Sequence, residues 1–148
     1  MDFTALADGL TQAIPYNRHL GLRVAELGEG TGVVELPDDE RLRNHVGSQH
    51  AGALFSAGEA ASGGAFLGVF AERLADVTPL AESAEIAYRR VARGPVIATA
   101  RLEAAPAELL GELDREGRVR FPIAVALTDG EGELVAEMTV RWYVRARA

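Results

Sequence analysis

Between Ala51 and Ala71 the chain runs twenty-one residues, AGALFSAGEAASGGAFLGVFA, with one ionisable side chain, Glu59, near the middle. The remainder is Ala, Gly, Ser and apolar side chains, so neighbouring elements can cover this backbone closely on more than one side. A carboxylate in such surroundings loses water, which raises its pKa and makes it a stronger base once ionised. The residues just before the run, NHVGSQHAG, add side-chain amides, two imidazoles and a flexible turn. A polar loop, a helix start and a lone carboxylate together suit acid–base or nucleophilic chemistry, and a site is expected there.

Two plainer roles compete for the run. It is long enough to cross a bilayer, but a central Glu is costly in lipid and the many small residues make it only weakly hydrophobic. A buried Glu can also be structural, paired with an Arg or a backbone donor from another element.

Other chemistries are excluded or unsupported. The chain has no Cys, so no disulfide framework, thiol nucleophile or thiolate metal site is available. All fifteen basic residues are Arg, which removes Schiff-base chemistry by lysine. A net charge of −7 argues against a general binder of nucleic acid or anionic membrane, since phosphate contacts need a basic face. No Gly-x-Ser-x-Gly elbow occurs: Gly47–Ser48 lacks the closing glycine, and Ser48, Ser56 and Ser62 read as loop, packing or pocket residues. His45 and His50 share no helical spacing with Glu59 and reproduce no metal-ligand pattern, so neither metal nor cofactor is expected. The N-terminus carries acid early and no basic stretch ahead of an apolar core; the expectation is a cytoplasmic protein.

The elements that must position these residues follow from periodicity. At 148 residues the expectation is one domain, residues 1–148. Phe3, Leu6, Leu10 and Ile14 stand at helical spacing, and Pro15 stops that helix. LRVAELGEGTGVVEL reads as two strands joined at Gly28–Gly32, a hairpin rather than a phosphate loop. The small-residue helix follows, extending to about Ala75. Beyond it come four long strands, AESAEIAYRRVA, PVIATARLEA and the pair within RVRFPIAVALTDGEGELVAEMTVRWYVR. PAELLGELDREG forms a short helix or exposed excursion between the second and third. Arg93–Gly94–Pro95 marks one turn and Asp129–Gly132 another, while Pro122 demotes its position to an edge or bulge. The order predicts an α+β protein: an antiparallel meander of about five to six strands wrapped around one long central helix, thin enough at Gly63–Gly64 to be enclosed.

In this setting NHVGSQHAGALFSAGE resembles the active-site signature of hotdog-fold acyl-CoA thioesterases of the PaaI type, closest to their YiiD-like branch. An Asn is followed six residues later by a His, and a carboxylate comes nine after that; Asn44, His50 and Glu59 hold those spacings. EIAYRRVARGPVIATARL and LTDGEGELVAEMTVRWYV resemble the family's later strands. Two departures stand out. Ala51 replaces the first glycine after the His, and Glu replaces the more usual Asp, moving the carboxylate by about 1.5 Å, one carbon–carbon bond. A serine that assists in some relatives has no counterpart; Ser83 is near but out of phase.

The resemblance implies hydrolysis of an acyl-CoA thioester by a homodimer, with a homotetramer as the further assembly, and a site formed between subunits. Glu59 would act as general base or nucleophile. The backbone N–H of Ala51 or Gly52, at the helix N-terminus, would meet the developing oxyanion. Asn44 would orient the water or thioester through its amide. His50 is expected to brace the turn, a direct catalytic role being the alternative, and His45 and Ser48 to line the loop or pocket. Arg89, Arg90 and Arg93 are the candidates for the coenzyme A phosphates, against an ordinary solvated strand face. Phe55, Phe66 and Phe70 could line an acyl tunnel or simply fill the core. The competing function is a non-catalytic hotdog module that binds an acyl or aromatic thioester.

Overall fold

The computed structural model describes residues 1–148. Asp2 caps the first helix, α1 (Phe3–Ala13), by accepting a hydrogen bond from the Ala5 N–H at 3.0 Å. Pro15 ends α1 as expected, but it also opens a second helix, α2 (Pro15–Leu20), which the sequence reading missed. Proline suits a first helical position because its missing N–H has no partner there anyway, and Gly21, at φ 72°, closes the other end. Two short strands follow, β1 (Arg23–Gly28) and β2 (Thr31–Leu36), then α3 (Ala51–Phe70). A 3₁₀ segment, Ala71–Asp76, succeeds α3, so the α-helix stops five residues before Ala75.

The second half comprises β3 (Val77–Tyr88), β4 (Val96–Leu102), the helix α4 (Pro106–Glu116), β5 (Arg118–Asp129) and β6 (Leu134–Ala146). PAELLGELDREG is therefore an amphipathic helix, and its Leu109 and Leu113 are buried. All six strands form one antiparallel sheet in the order β1-β2-β4-β5-β6-β3. The expected meander holds for β4-β5-β6 only. β3 pairs with β6 at the far edge, and the chain returns to β4 by crossing the end of the sheet. Gln49 fixes that crossing: its backbone N–H donates to Ala92 O at 2.8 Å, and its side-chain amide donates to Pro37 O and Gly94 O. Pro122 sits just past the last β4–β5 pair, Leu102 with Ile123, where its absent N–H costs no bond to β4.

One face of the sheet holds α3. In β5, alternate residues from Val119 to Leu127 are buried, the signature of a sheet with one covered and one open face. The core joins Ala57, Ala61, Ala65 and Phe70 of α3 to Val34, Leu36, Ala98, Leu127 and Val140 of the strands. Fourteen of the twenty α3 residues are buried, which accounts for an apolar run of membrane-spanning length inside a protein core. The close packing depends on missing side chains. A Cβ on Gly68 would run into the carbonyl oxygen of Gly28, and one on Gly32 into that of Ala61. Gly64 belongs to the same seam, with Leu27 Cδ2 at 2.7 Å from where its Cβ would stand. Gly63 does not: the nearest atom to a Cβ there is Trp142 Cζ2 at 3.9 Å.

Candidate active site

The polar loop before α3 is a tightly hydrogen-bonded turn. Asn44 Oδ1 accepts from the N–H groups of Val46 and Ser48, each at 3.0 Å. Its Nδ2 donates to Ser48 Oγ at 2.8 Å and to Gln49 O at 3.4 Å. Two acceptor positions and two donors are all an amide side chain possesses, so Asn44 is fully engaged by its own loop. Orienting water or substrate through its amide would require Asn44 to exchange one of these bonds, although it does line the cleft beside the helix start. Ser48 is buried as Asn44's partner, and His45 is exposed with no hydrogen bond.

His50 is the N-cap of α3. Its Nδ1 accepts from the Gly52 N–H at 2.8 Å, as an Asn or Ser oxygen would in that position. The Gly52 donor is thus engaged within the loop. The Ala51 N–H has no partner within the chain and stands exposed at the positive end of a twenty-residue helix. Of the two candidate donors for an oxyanion, Ala51 is the one left open. Tyr88 Oη donates to Ala51 O at 3.0 Å and ties the end of β3 to this turn, a contact the sequence did not announce.

Beside the helix start lies a cleft of about 380 Å³ lined by Asn44, Ser48, Ala51, Tyr88, Arg89 and Arg90 among others. Arg89 pairs with Glu137 at 3.1 Å and Arg90 with Glu133 at 3.6 Å, both exposed and so weakly held. Arg93 has no carboxylate partner; its guanidinium reaches Gly47 O at 3.5 Å.

Glu59 lies eight residues along α3 from Ala51, about 12 Å at the helical rise. The two ends of the proposed chemistry are therefore not brought together within one chain. Glu59 opens into a different pocket, about 250 Å³, between α1, α2, β1, α3 and β6. Its walls are mostly apolar, including Leu10, Val24, Phe66, Leu67 and Trp142. No side chain or backbone donor bonds the Glu59 carboxylate, and burial alone pushes its pKa above the ordinary carboxylate value. The structural pairing with an Arg, weighed as its plainer role, does not occur. Trp142 Nε1 donates to Ser62 Oγ at 3.1 Å, and Ser62 Oγ donates to Glu59 O at 2.7 Å, which fixes the helix backbone at the carboxylate.

Of the three phenylalanines, Phe70 is core, stacked on Phe66 at 4.9 Å and Phe121 at 5.7 Å. Phe66 borders the Glu59 pocket and stacks on Trp142 at 5.2 Å. Phe55 is half-buried and lines neither pocket.

A family model described as a domain of unknown function, DUF4442, matches residues 4–144. The chain belongs to the DUF4442 family. Its sheet wrapped on one long helix is the hotdog fold, and solved structures share it. A Pseudomonas aeruginosa protein of unknown function, described as a probable thioesterase, is 32% identical with a TM-score of 0.86, covering 97% of this chain and 96% of its own. A conserved protein from the same organism is 27% identical, TM-score 0.72, covering 90% and 96%. The Escherichia coli PaaI protein from the phenylacetic acid degradation operon shares the fold at 17% identity, TM-score 0.73, covering 96% and 91%. No curated protein matches the sequence. Like its relatives, this DUF4442 chain is hotdog along nearly its whole length.

Proposed function

We propose that this DUF4442 protein is an acyl-CoA thioesterase acting as a homodimer, with Glu59 as the base. The observation that carries the reading is the Glu59 carboxylate itself: unpaired, desolvated and facing an apolar pocket of a size for an acyl group. A structural acid would have a partner, and a misplaced one would be selected against at the cost of burying it. The probable-thioesterase description of the 32%-identical relative supports the same reaction.

In this scheme ionised Glu59 takes a proton from water, and the hydroxide formed attacks the thioester carbonyl carbon. The carbonyl oxygen gains the negative charge and is met by the Ala51 N–H at an α3 start. The intermediate collapses by breaking the C–S bond, and the proton held by Glu59 passes to the departing sulfur, leaving a free acid and coenzyme A. Because Glu59 and Ala51 are about 12 Å apart on one helix, the base and the donor must come from different protomers. Arg93, free of a carboxylate, is the readiest cation for a coenzyme A phosphate. Arg89 and Arg90 can join by exchanging weak surface pairs.

The test is hydrolysis of a panel of short, long and aromatic acyl-CoAs, read by thiol release, for wild type and Glu59→Gln. The amide keeps the shape and removes the base, so kcat should fall by about 10²-fold or more with an unchanged circular dichroism spectrum. A folded Glu59→Gln protein that turns over at the wild-type rate would exclude the mechanism. Binding of acyl-CoA with no turnover by wild type would favour the non-catalytic module, which the engagement of Asn44 and Gly52 within their own loop makes the specific competitor.

A further inference from the structure

The pocket at Glu59 holds a second polar side chain that neither the sequence pattern nor the mechanism above uses. Asn17, in the middle of α2, is only 7% exposed. Its backbone carbonyl accepts from the Leu22 N–H at 3.0 Å, but its side-chain amide makes no hydrogen bond within the chain. Buried amides without partners are rare in native proteins, because desolvating the group is not repaid. Nor is the amide sealed into packing: the one sealed, unpaired side-chain polar atom is Gln49 Oε1. The open space beside Asn17 is the pocket it lines together with Glu59. Trp142, the other wall residue with a polar atom, has its N–H engaged by Ser62. Asn17 and Glu59 are thus the two unengaged polar side chains of an otherwise apolar chamber.

We propose that Asn17 holds the water that Glu59 activates, its amide oxygen accepting one water hydrogen while the carboxylate accepts the other. This rests on the thioesterase reading of the site and adds to it the group that aims the nucleophile. A water held at two points directs its lone pair in one direction, and a pocket of about 250 Å³ with two polar groups on its wall is large enough to hold one. An amide is suited to the task because it is neutral: an Arg or Lys at the same place would pair with Glu59 and weaken it as a base. The mounting is rigid. Pro15 and Gly21 fix the two ends of α2, and Tyr16 Oη, next to Asn17 in sequence, is bonded to Ser56 Oγ of α3 at 3.1 Å. Ser56 in turn donates to Gly52 O, which links the mounting to the start of α3.

The test compares Asn17→Leu and Asn17→Asp with wild type and Glu59→Gln. Asn17→Leu removes an unpaired buried amide at similar volume, so the melting temperature should hold or rise while kcat drops by about 10- to 100-fold with little change in KM. Asn17→Asp places a second carboxylate in the pocket. Glu59 is the one titratable group lining it, so its carbon-13 titration midpoint should move up, as should the acid limb of kcat against pH. A purely structural Asn17 predicts instead lower melting temperatures for both variants and a kcat that folded Asn17→Leu protein keeps. Asn17→Leu with wild-type kcat, or Asn17→Asp with an unshifted midpoint, overturns the proposal. Failure of the thioesterase reading is separate and shows as undiminished hydrolysis in Glu59→Gln, whereas an inactive Glu59→Gln beside a fully active Asn17→Leu removes Asn17 alone.

Discussion

Glu59 links stability and activity to pH with opposite signs. Burial raises its folded pKa above the value of about 4.5 that the unfolded chain would show. Folding therefore favours the protonated carboxyl. The native state loses stability as pH climbs from the unfolded pKa through the folded one, because over that window it must carry a desolvated charge that the unfolded chain hydrates freely. Glu59→Gln removes the charge. Its melting temperature should equal wild type near pH 4 and exceed it at about pH 7 to 8, measured by thermal denaturation in matched buffers. Hydrolysis runs the other way, since a base works only when ionised: kcat should climb across the same window, with its acid limb above the ordinary carboxylate range. A variant that is both more stable and inactive at neutral pH marks a residue kept for chemistry. Equal melting temperatures at every pH would show that Glu59 is not desolvated.

At the scale of elements, the glycines of α3 divide by what faces them. Gly68 meets the Gly28 carbonyl at the β1–β2 turn, so Gly68→Ala must push the hairpin off the helix and should cost about 1–3 kcal/mol in denaturant unfolding. Gly63 has only Trp142 at 3.9 Å, and Gly63→Ala should be neutral or stabilising by about 1 kcal/mol, since alanine is the better helix former. The same methyl enters the Glu59 pocket, which Gly63 lines one turn along, so the preferred acyl group should shrink. Equal destabilisation by the two substitutions would mean the seam is not where these contacts put it. From sequence, the small-residue run located the central helix and its enclosure, but it could not tell which glycine faced a strand and which faced a cavity. Alternation located the strands. It could not place β3 beyond β6, because pairing partners depend on a crossing held by Gln49 and not on any local pattern. The carboxylate was legible as an isolated charge in an apolar stretch. Asn17 was not: the signal was Pro15 and Gly21 bracketing a short helix, and reading Pro15 only as a stop hid it.

For the whole molecule, the two edges of the sheet differ, and the proposed homodimer turns on that difference. β1 is short, whereas β3 is twelve residues long, pairs with β6 on one side only, and is exposed from Leu80 to Glu85. Such an edge is a template for pairing, and Leu80 and Tyr88 on it are exposed at 52% and 47%. Val46 and Val91, at 55% and 62%, extend the apolar surface around the start of α3. A second copy joining along β3 would cover this surface and supply the partner site that the distance along α3 demands. Subunit complementation reads this directly. Ala51→Pro deletes the open N–H at the first helical position, where proline fits and where the extended His50 before it is compatible. Alone, Ala51→Pro and Glu59→Gln homodimers should each be nearly inactive. In a heterodimer, one site carries both lesions and the other carries neither. After subunit exchange about half the dimers are mixed, each with one intact site, so activity should return to about a quarter of wild type. If Glu59 and Ala51 served the same site from a single chain, every site in the mixture would keep a lesion and no activity would return.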